Sequence, residues 1–333
     1  MTTPQPRIVL AGGSGFLGTH LARHLRQAGY AITVLSRQGL ASTEPDGDGV
    51  RWVQWDGQTI GPWSAELAGA AALVNLTGRN VNCRYTGRNR HAILHSRLDS
   101  VRVLDEAMQR CDQPPPAWVQ ASTLAIYGDR ADEPLDEASP TGPGFSPDVA
   151  RAWEQAVSEA DAGGARKVLL RASFVLGTDG GALPTLARLV KLGLGGRVGS
   201  GRQFYSWIHV RDLCRIVQKA IEQPAMNGIY NATSPQPVRN GAFMQELRRV
   251  LRRPWSPPAP AWAVRLGCLL MRTEPELALR SRHGLPRRLT EMGFAFEYPH
   301  LPAALADLYG APAAFKECPV AALPDRDQTE VAR

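Results

Sequence analysis

Seven residues near the N-terminus, Gly12-Gly13-Ser14-Gly15-Phe16-Leu17-Gly18, constrain this fold more than any others. They follow the apolar run Arg7–Ala11 and open a segment, residues 16–28, in which Phe16, Leu17, Leu21 and Leu25 recur at helical spacing. A glycine loop between a strand and a helix is where a doubly wound α/β fold receives a dinucleotide pyrophosphate. Gly12 permits the tight turn, Gly15 lets backbone approach the phosphates, and Gly18 allows close helix–strand packing. The helix start then offers unpaired N–H groups and a positive dipole end.

The pattern that follows agrees with a Rossmann doubly wound parallel sheet. Residues 31–36, 50–55, 71–76, 117–122 and 167–174 read as further strands, alternating with helices over residues 88–110 and 148–161. Beyond Leu176 glycine-rich turns surround a short helix at 183–192, a strand at 207–210, a helix at 212–222 and a strand at 229–232. A mainly helical region runs to about residue 308. These features predict an NADP-binding domain from residues 1–178 and 203–233 and a small C-terminal substrate-side domain from 179–202 and 234–310. Residues 311–333 lack periodicity and read as a flexible tail.

The net charge of +7 invites an anionic macromolecule, but the basic residues are scattered and no reading motif accompanies them, so no nucleic-acid partner is expected. Cys83, Cys111, Cys214, Cys268 and Cys318 lie far apart without a C-x-x-C pair, which argues against a zinc site and a disulfide framework. The apolar stretch at 261–271 is broken by Arg265 and is too short to span a bilayer, so no membrane partner is expected. A cytoplasmic protein acting on a small molecule is the resulting expectation.

The second strand ends in Ser36-Arg37, with no acid before Glu44. A site for NAD usually carries an acid there to accept the ribose hydroxyls. An arginine instead pairs with a 2′-phosphate through charge-assisted bonds of roughly 1.5–3 kcal/mol, about ten- to a hundredfold in affinity, which favours NADP(H).

The glycine loop, the strand end Asn75-Leu76-Thr77-Gly78 and the segment ASTLAIYG at 121–128 resemble the extended short-chain dehydrogenase/reductases of the NAD-dependent epimerase/dehydratase superfamily. LGTDGGALP (176–184), GSGRQFYSWIHVRDL (199–213), YNATSPQPVRN (230–240) and LPRRLTEMGFAFEYP (285–299) are similar to its atypical, epimerase-like branch with a C-terminal domain of unknown function. The resemblance implies that Asp56 sits near the adenine and that Leu76, Thr77 and Gly78 pass along the cofactor. It also implies that Arg84, Tyr85, Gln203 and Trp207 line the substrate cleft, and it carries homodimerisation through the helices at 88–110 and 148–161 as an analogy.

The superfamily's usual chemistry uses a Ser/Thr, a Tyr and a Lys, the tyrosine exchanging the hydroxyl proton while hydride moves. Ser122 and Thr123 fill the hydroxyl position. Ser146 stands where the tyrosine belongs, Ala150 where the lysine belongs, and Arg97 where an asparagine is usual; between Asp129 and Lys167 there is neither tyrosine nor lysine. Tyr127, at the end of the fifth strand, is therefore the leading substitute proton donor, and Tyr85 the second. Two functions stay open: an oxidoreductase or epimerase transferring hydride at a carbinol or carbonyl carbon, and a non-catalytic NADP(H)-binding sensor or scaffold. His209 and Asp212 read as structural, tying a strand to the following helix.

Overall fold

A computed structural model describes residues 5–310 apart from 38–45, 48, 254 and 271–272. The first half runs β1 (Arg7–Ala11), α1 (Phe16–Gln27), β2 (Ala31–Ser36), β3 (Val50–Gln54), β4 (Ala72–Asn75), α2 (Gly87–Gln109), β5 (Ala117–Thr123), β6 (Pro134–Leu135) and α3 (Phe145–Glu159). Then come β7 (Arg166–Ala172), β8 (Phe174–Leu176), α4 (Leu183–Lys191), β9 (Phe204–Tyr205), β10 (Trp207–His209), α5 (Val210–Glu222), β11 (Gly228–Ala232), β12 (Val238–Arg239) and α6 (Asn240–Val250). The last part holds α7 (Ala261–Leu270), α8 (Glu276–Leu279), β13 (His283–Gly284), α9 (Arg287–Glu291) and α10 (Leu301–Tyr309).

Seven parallel strands form the sheet in the order β11-β7-β5-β4-β1-β2-β3. Strands buried on both faces must be apolar at consecutive positions, and β1 is: Ile8 and Leu10 pack toward α1 and α5, Val9 and Ala11 toward α2 and α3. Chain order reverses between β1 and β4, whose ends meet at Ala11 and Asn75. The crevice beyond that switch point is where such sheets take a ligand.

The strand expected at residues 167–174 is instead two. At Ser173 the chain leaves the main sheet, and β8 pairs with β10 in a separate two-stranded ribbon. That ribbon supplies Leu176 and Trp207 to a third apolar cluster with Leu183, Phe243, Leu247 and Leu305. The tail at 311–333 lies outside the described residues. Among the described residues no helix is long and apolar enough to cross a membrane.

Two sequence segments meet behind this ribbon. His209 caps α5, its Nδ1 accepting the Arg211 N–H at 3.1 Å, while its Nε2 lies 3.3 Å from Asp307 Oδ2. The buried Asp212 carboxylate accepts the Glu297 and Tyr298 N–H groups, each at 2.8 Å, and so fastens the GFAFEYP stretch to α5. Burial holds His209 down at about 4 against the opposing pull of Asp307. A further proton would have to sit on Nδ1 and would break the helix cap.

The depressed value means that the unfolded chain binds the extra proton first. The stabilisation is complete above about pH 6.5 and is lost as pH falls toward 4, by on the order of 2–3 kcal/mol. Urea denaturation at pH 7 and pH 4.5 should therefore show a smaller acid loss in His209→Asn, which keeps a capping oxygen, than in the native protein. Equal losses would mean that His209 does not carry this dependence.

Candidate active site

The glycine loop is built around contacts that no side chain could tolerate. Gly12 has φ +74°, and a Cβ there would lie 2.8 Å from Thr77 Oγ1 and 2.9 Å from Thr77 Cα; a Cβ on Gly18 would lie 2.2 Å from the Gly13 carbonyl oxygen. Gly15, by contrast, faces open space. It is exposed with Ser14 at the crest of the loop and forms the N-cap of α1, where no side chain occupies the free N–H groups. Thr77 Oγ1 is buried and has no hydrogen-bond partner among the described residues. An open cradle at a helix N-terminus, with an orphaned hydroxyl behind it, fits a bound pyrophosphate.

Phe16 and Leu17 pack inward against the sheet. The LGTDGG segment folds over Phe16: a Cβ on Gly177 or Gly180 would come within 2.4 or 2.5 Å of that side chain, and His20 pairs with Asp179 at 2.9 Å. The role of these glycines in covering Phe16 was not apparent from spacing. At the far end of the crevice Arg37 and Asp56 meet in one cavity of about 360 Å³, lined also by Gln54, Trp55, Thr59, Gly61 and Trp63. Asp56 accepts the Thr59 hydroxyl at 2.6 Å and two backbone N–H groups, bonds that hold its carboxyl below the ordinary range. Ser36 is buried beneath this cavity and Leu76 packs under the loop. Gly78 lies against α2, where a Cβ would sit 3.0 Å from Arg97 Cζ.

Several expected site residues are buried and bonded within the fold. Tyr127 is fully buried; its hydroxyl accepts Arg171 Nη1 at 2.8 Å and lies within bonding distance of the Asp136 carbonyl and Asn231 Oδ1. Burial raises its pKa against the opposing effect of Arg171. A phenol so enclosed does not reach a substrate. Ser122 is buried as well and donates to Glu154 Oε1 at 2.5 Å. Trp207 has no exposed surface, and its indole donates to the Gln236 carbonyl inside the third cluster. The buried Gln203 donates its amide to the Val198 carbonyl. Arg84 is half-exposed and stands 3.7 Å from Glu274. Cys83 sits half-exposed in the loop before α2.

What the cleft does bring together is Tyr85 and Ser146. Tyr85 packs on Phe145, the residue before Ser146, and Ser146 Oγ donates to Glu276, itself 2.9 Å from Arg280. The ring packs edge-on against Phe145 at 4.9 Å, and Glu274 accepts the Tyr85 N–H at 2.6 Å. Burial first, then the nearby Glu276, Cys83 and Glu274, keeps this phenol protonated well past neutrality. Thr123, half-buried at the end of β5, accepts the Ala125 N–H at 3.1 Å. Arg97 stands beside them, its Cζ 4.9 Å from the centre of the Trp153 ring. Among the described residues no cluster of metal-ligating side chains occurs.

Residues 8–233 match the profile of the NAD dependent epimerase/dehydratase family, and residues 259–308 match a domain of unknown function, DUF1731. The chain is 33% identical to Epimerase family protein SDR39U1 of Bos taurus, over 91% of this chain and 99% of that one. It is 32% identical to Epimerase family protein YfhF of Bacillus subtilis, over 90% and 97%. Among solved structures, human epimerase family protein SDR39U1 (isoform 2) with NADPH superposes with a TM-score of 0.80 at 32% identity, covering 91% of this chain and 99% of that one.

Proposed function

The chain belongs to the NAD dependent epimerase/dehydratase family, and we propose that it is an NADP(H)-dependent oxidoreductase of the extended short-chain dehydrogenase/reductase type, with Tyr85 as its proton-handling residue. One observation carries this reading: the Tyr85 ring packs at 4.9 Å on Phe145, next in sequence to Ser146, the position at which the superfamily's tyrosine belongs. A loop before α2 thus brings a phenol to the place that α3 leaves without one.

NADP(H), when bound, supplies or accepts a hydride. The rest falls to the chain's own residues. Gly15 and the start of α1 hold the pyrophosphate, Arg37 the 2′-phosphate, Asp56 and its cavity the adenosine end, and Thr77 and Gly78 the stretch between. The NADPH in the human SDR39U1 structure supports the choice of cofactor. Thr123 holds the substrate oxygen, since its hydroxyl accepts one backbone N–H and keeps its own proton to donate. Tyr85, protonated at rest, donates to the oxygen of a carbonyl being reduced, and a proton from solvent restores it before the next turnover. The reverse transfer oxidises a carbinol.

A second reading, a sensor or scaffold that binds NADP(H) without chemistry, draws on Ala150. It is fully buried at the lysine position, so no ammonium there lowers the phenol's pKa.

One experiment tests the cofactor role that both readings share, and a second separates them. In a titration followed by tryptophan fluorescence, Arg37→Ala should lose an NADPH-over-NADH preference of about ten- to a hundredfold; an unchanged affinity ratio would contradict the role of Arg37. Against a panel of aldehydes and ketones, Tyr85→Phe should lower turnover of the best substrate about a hundredfold or more. Tyr127→Phe should alter stability more than kcat. Full activity in Tyr85→Phe removes Tyr85 from the mechanism, and no turnover of any carbonyl by the native protein favours the sensor.

A further inference from the structure

Large apolar side chains left exposed by a folded chain are ordinarily scattered. Here they are gathered. Among the described residues the strongly exposed ones are Leu192, Leu194, Trp255, Trp262, Leu266 and Leu269, all in the turn after α4 or in the stretch from the end of α6 through α7. The two segments are bonded together. The Ala259 N–H donates to the Arg197 carbonyl at 2.9 Å, and the Gly199 N–H to the Ala259 carbonyl at 2.8 Å. Gly196 packs so closely on Pro257 that a Cβ would lie 1.8 Å from its carbonyl oxygen, and Arg248 of α6 donates to the Gly195 carbonyl at 2.8 Å.

The outer side of α7 is the opposite of what a core helix shows to water. Trp262, Arg265, Leu266 and Leu269, at i, i+3, i+4 and i+7, form one exposed face, while Ala263, Val264 and Gly267 are half-buried and Cys268 is buried. Trp255 and Trp262 are 74% and 69% exposed, so the indoles project from the surface and line no groove.

The charge around them has one sign. No acid occurs between Asp179 and Asp212 or between Glu246 and Glu274. Arg188, Lys191, Arg197, Arg252, Arg253 and Arg265 are exposed, each within four residues of one of these apolar side chains. No carboxylate pairs with any of them among the described residues; Glu246 is taken by Arg249, and Glu274 faces Arg84. A second copy of this chain does not match such a face, since across a twofold axis the patch would meet itself and cations would oppose cations. A surface that is anionic outside and apolar just beneath does match. Indole rings settle at the level of lipid headgroups, and arginine and lysine draw a helix of this kind to acidic lipids.

We propose that α7 and the turn after α4 form a membrane-docking face that lies in the headgroup layer of an acidic bilayer and seats Trp255, Trp262 and Leu266 there. This replaces the expectation of no membrane partner, which rested on the length needed to span. A helix lying on a bilayer needs no such length.

The test is co-sedimentation of the full chain with vesicles of phosphatidylcholine alone and of phosphatidylcholine with about 30% phosphatidylglycerol. Partitioning onto the acidic vesicles should be about tenfold stronger or more, should weaken as salt is raised, and should shift the tryptophan emission to the blue. Arg253→Glu and Arg265→Glu should each lower it about fivefold or more, and Trp262→Ser about tenfold. These positions are exposed, and NADPH affinity kept within about twofold checks that each variant is folded. Arg110→Glu, exposed at the far end of α2, makes the same change in net charge and should leave partitioning within about twofold. No partitioning onto acidic vesicles, or equal partitioning onto both kinds, overturns the proposal. So does an equal loss in Arg110→Glu and Arg265→Glu, which would make net charge the cause. Self-association that is lost in Trp262→Ser, found without vesicle binding, would give the face to a second copy and overturn it as well.

Discussion

Glu154 and Arg171 form a two-pronged ion pair at 2.7 and 2.9 Å beneath the carboxyl ends of the central strands, and both are almost wholly buried. Burial alone would lower the arginine's pKa, but its bonds to Glu154 and Tyr127 hold it raised. The pair is satisfied on every side. Glu154 accepts Ser122 from β5, Arg171 reaches Tyr127, and Tyr127 reaches Asn231 of β11. Removing one partner from such a pair leaves an uncompensated buried charge, commonly a loss of about 3–5 kcal/mol. This network locks α3 to β5, β7 and β11, and it draws Ser122 and Tyr127 into the framework.

Much of the fold was legible because local pattern and tertiary demand agree. β1, β2 and the glycine loop combine apolar runs with glycine at positions where a Cβ would collide, and the strands expected at 31–36, 50–55, 71–76 and 117–122 fall within a residue of the observed ones. Arg37 and Asp56, from the ends of two neighbouring strands, line one cavity. The switch at Ser173 was missed because β7 and β8 are separated by a single residue, and pairing with Trp207–His209 is a non-local event that composition does not record.

The site was less legible. Tyr127 follows Ser122 and Thr123 at the end of a strand, a placement that invites a catalytic role, but its partners Arg171 and Asn231 lie 44 and 104 residues away. A signal was present: Arg171 interrupts an apolar strand and Glu154 lies on the apolar side of α3, and charges inside buried patterns must pair. Trp207 misled in the same way, since an aromatic beside a proposed cleft and an aromatic in a core read alike. Tyr85 precedes α2 and Ser146 opens α3, with all of β5 between them, so only the folded chain brings the two together.

The central claim is one of relocation: the proton-handling phenol has moved from α3 to the loop before α2 while the surrounding fold has been kept. A crystal structure of the NADP+ complex tests it most directly. The account predicts the nicotinamide on the Tyr85 side of the cleft, with the Tyr85 hydroxyl about 4–6 Å from the hydride-carrying carbon, room for a substrate oxygen between them. A nicotinamide bound with Tyr85 more than about 10 Å away, too far for any near-attack arrangement, would contradict it.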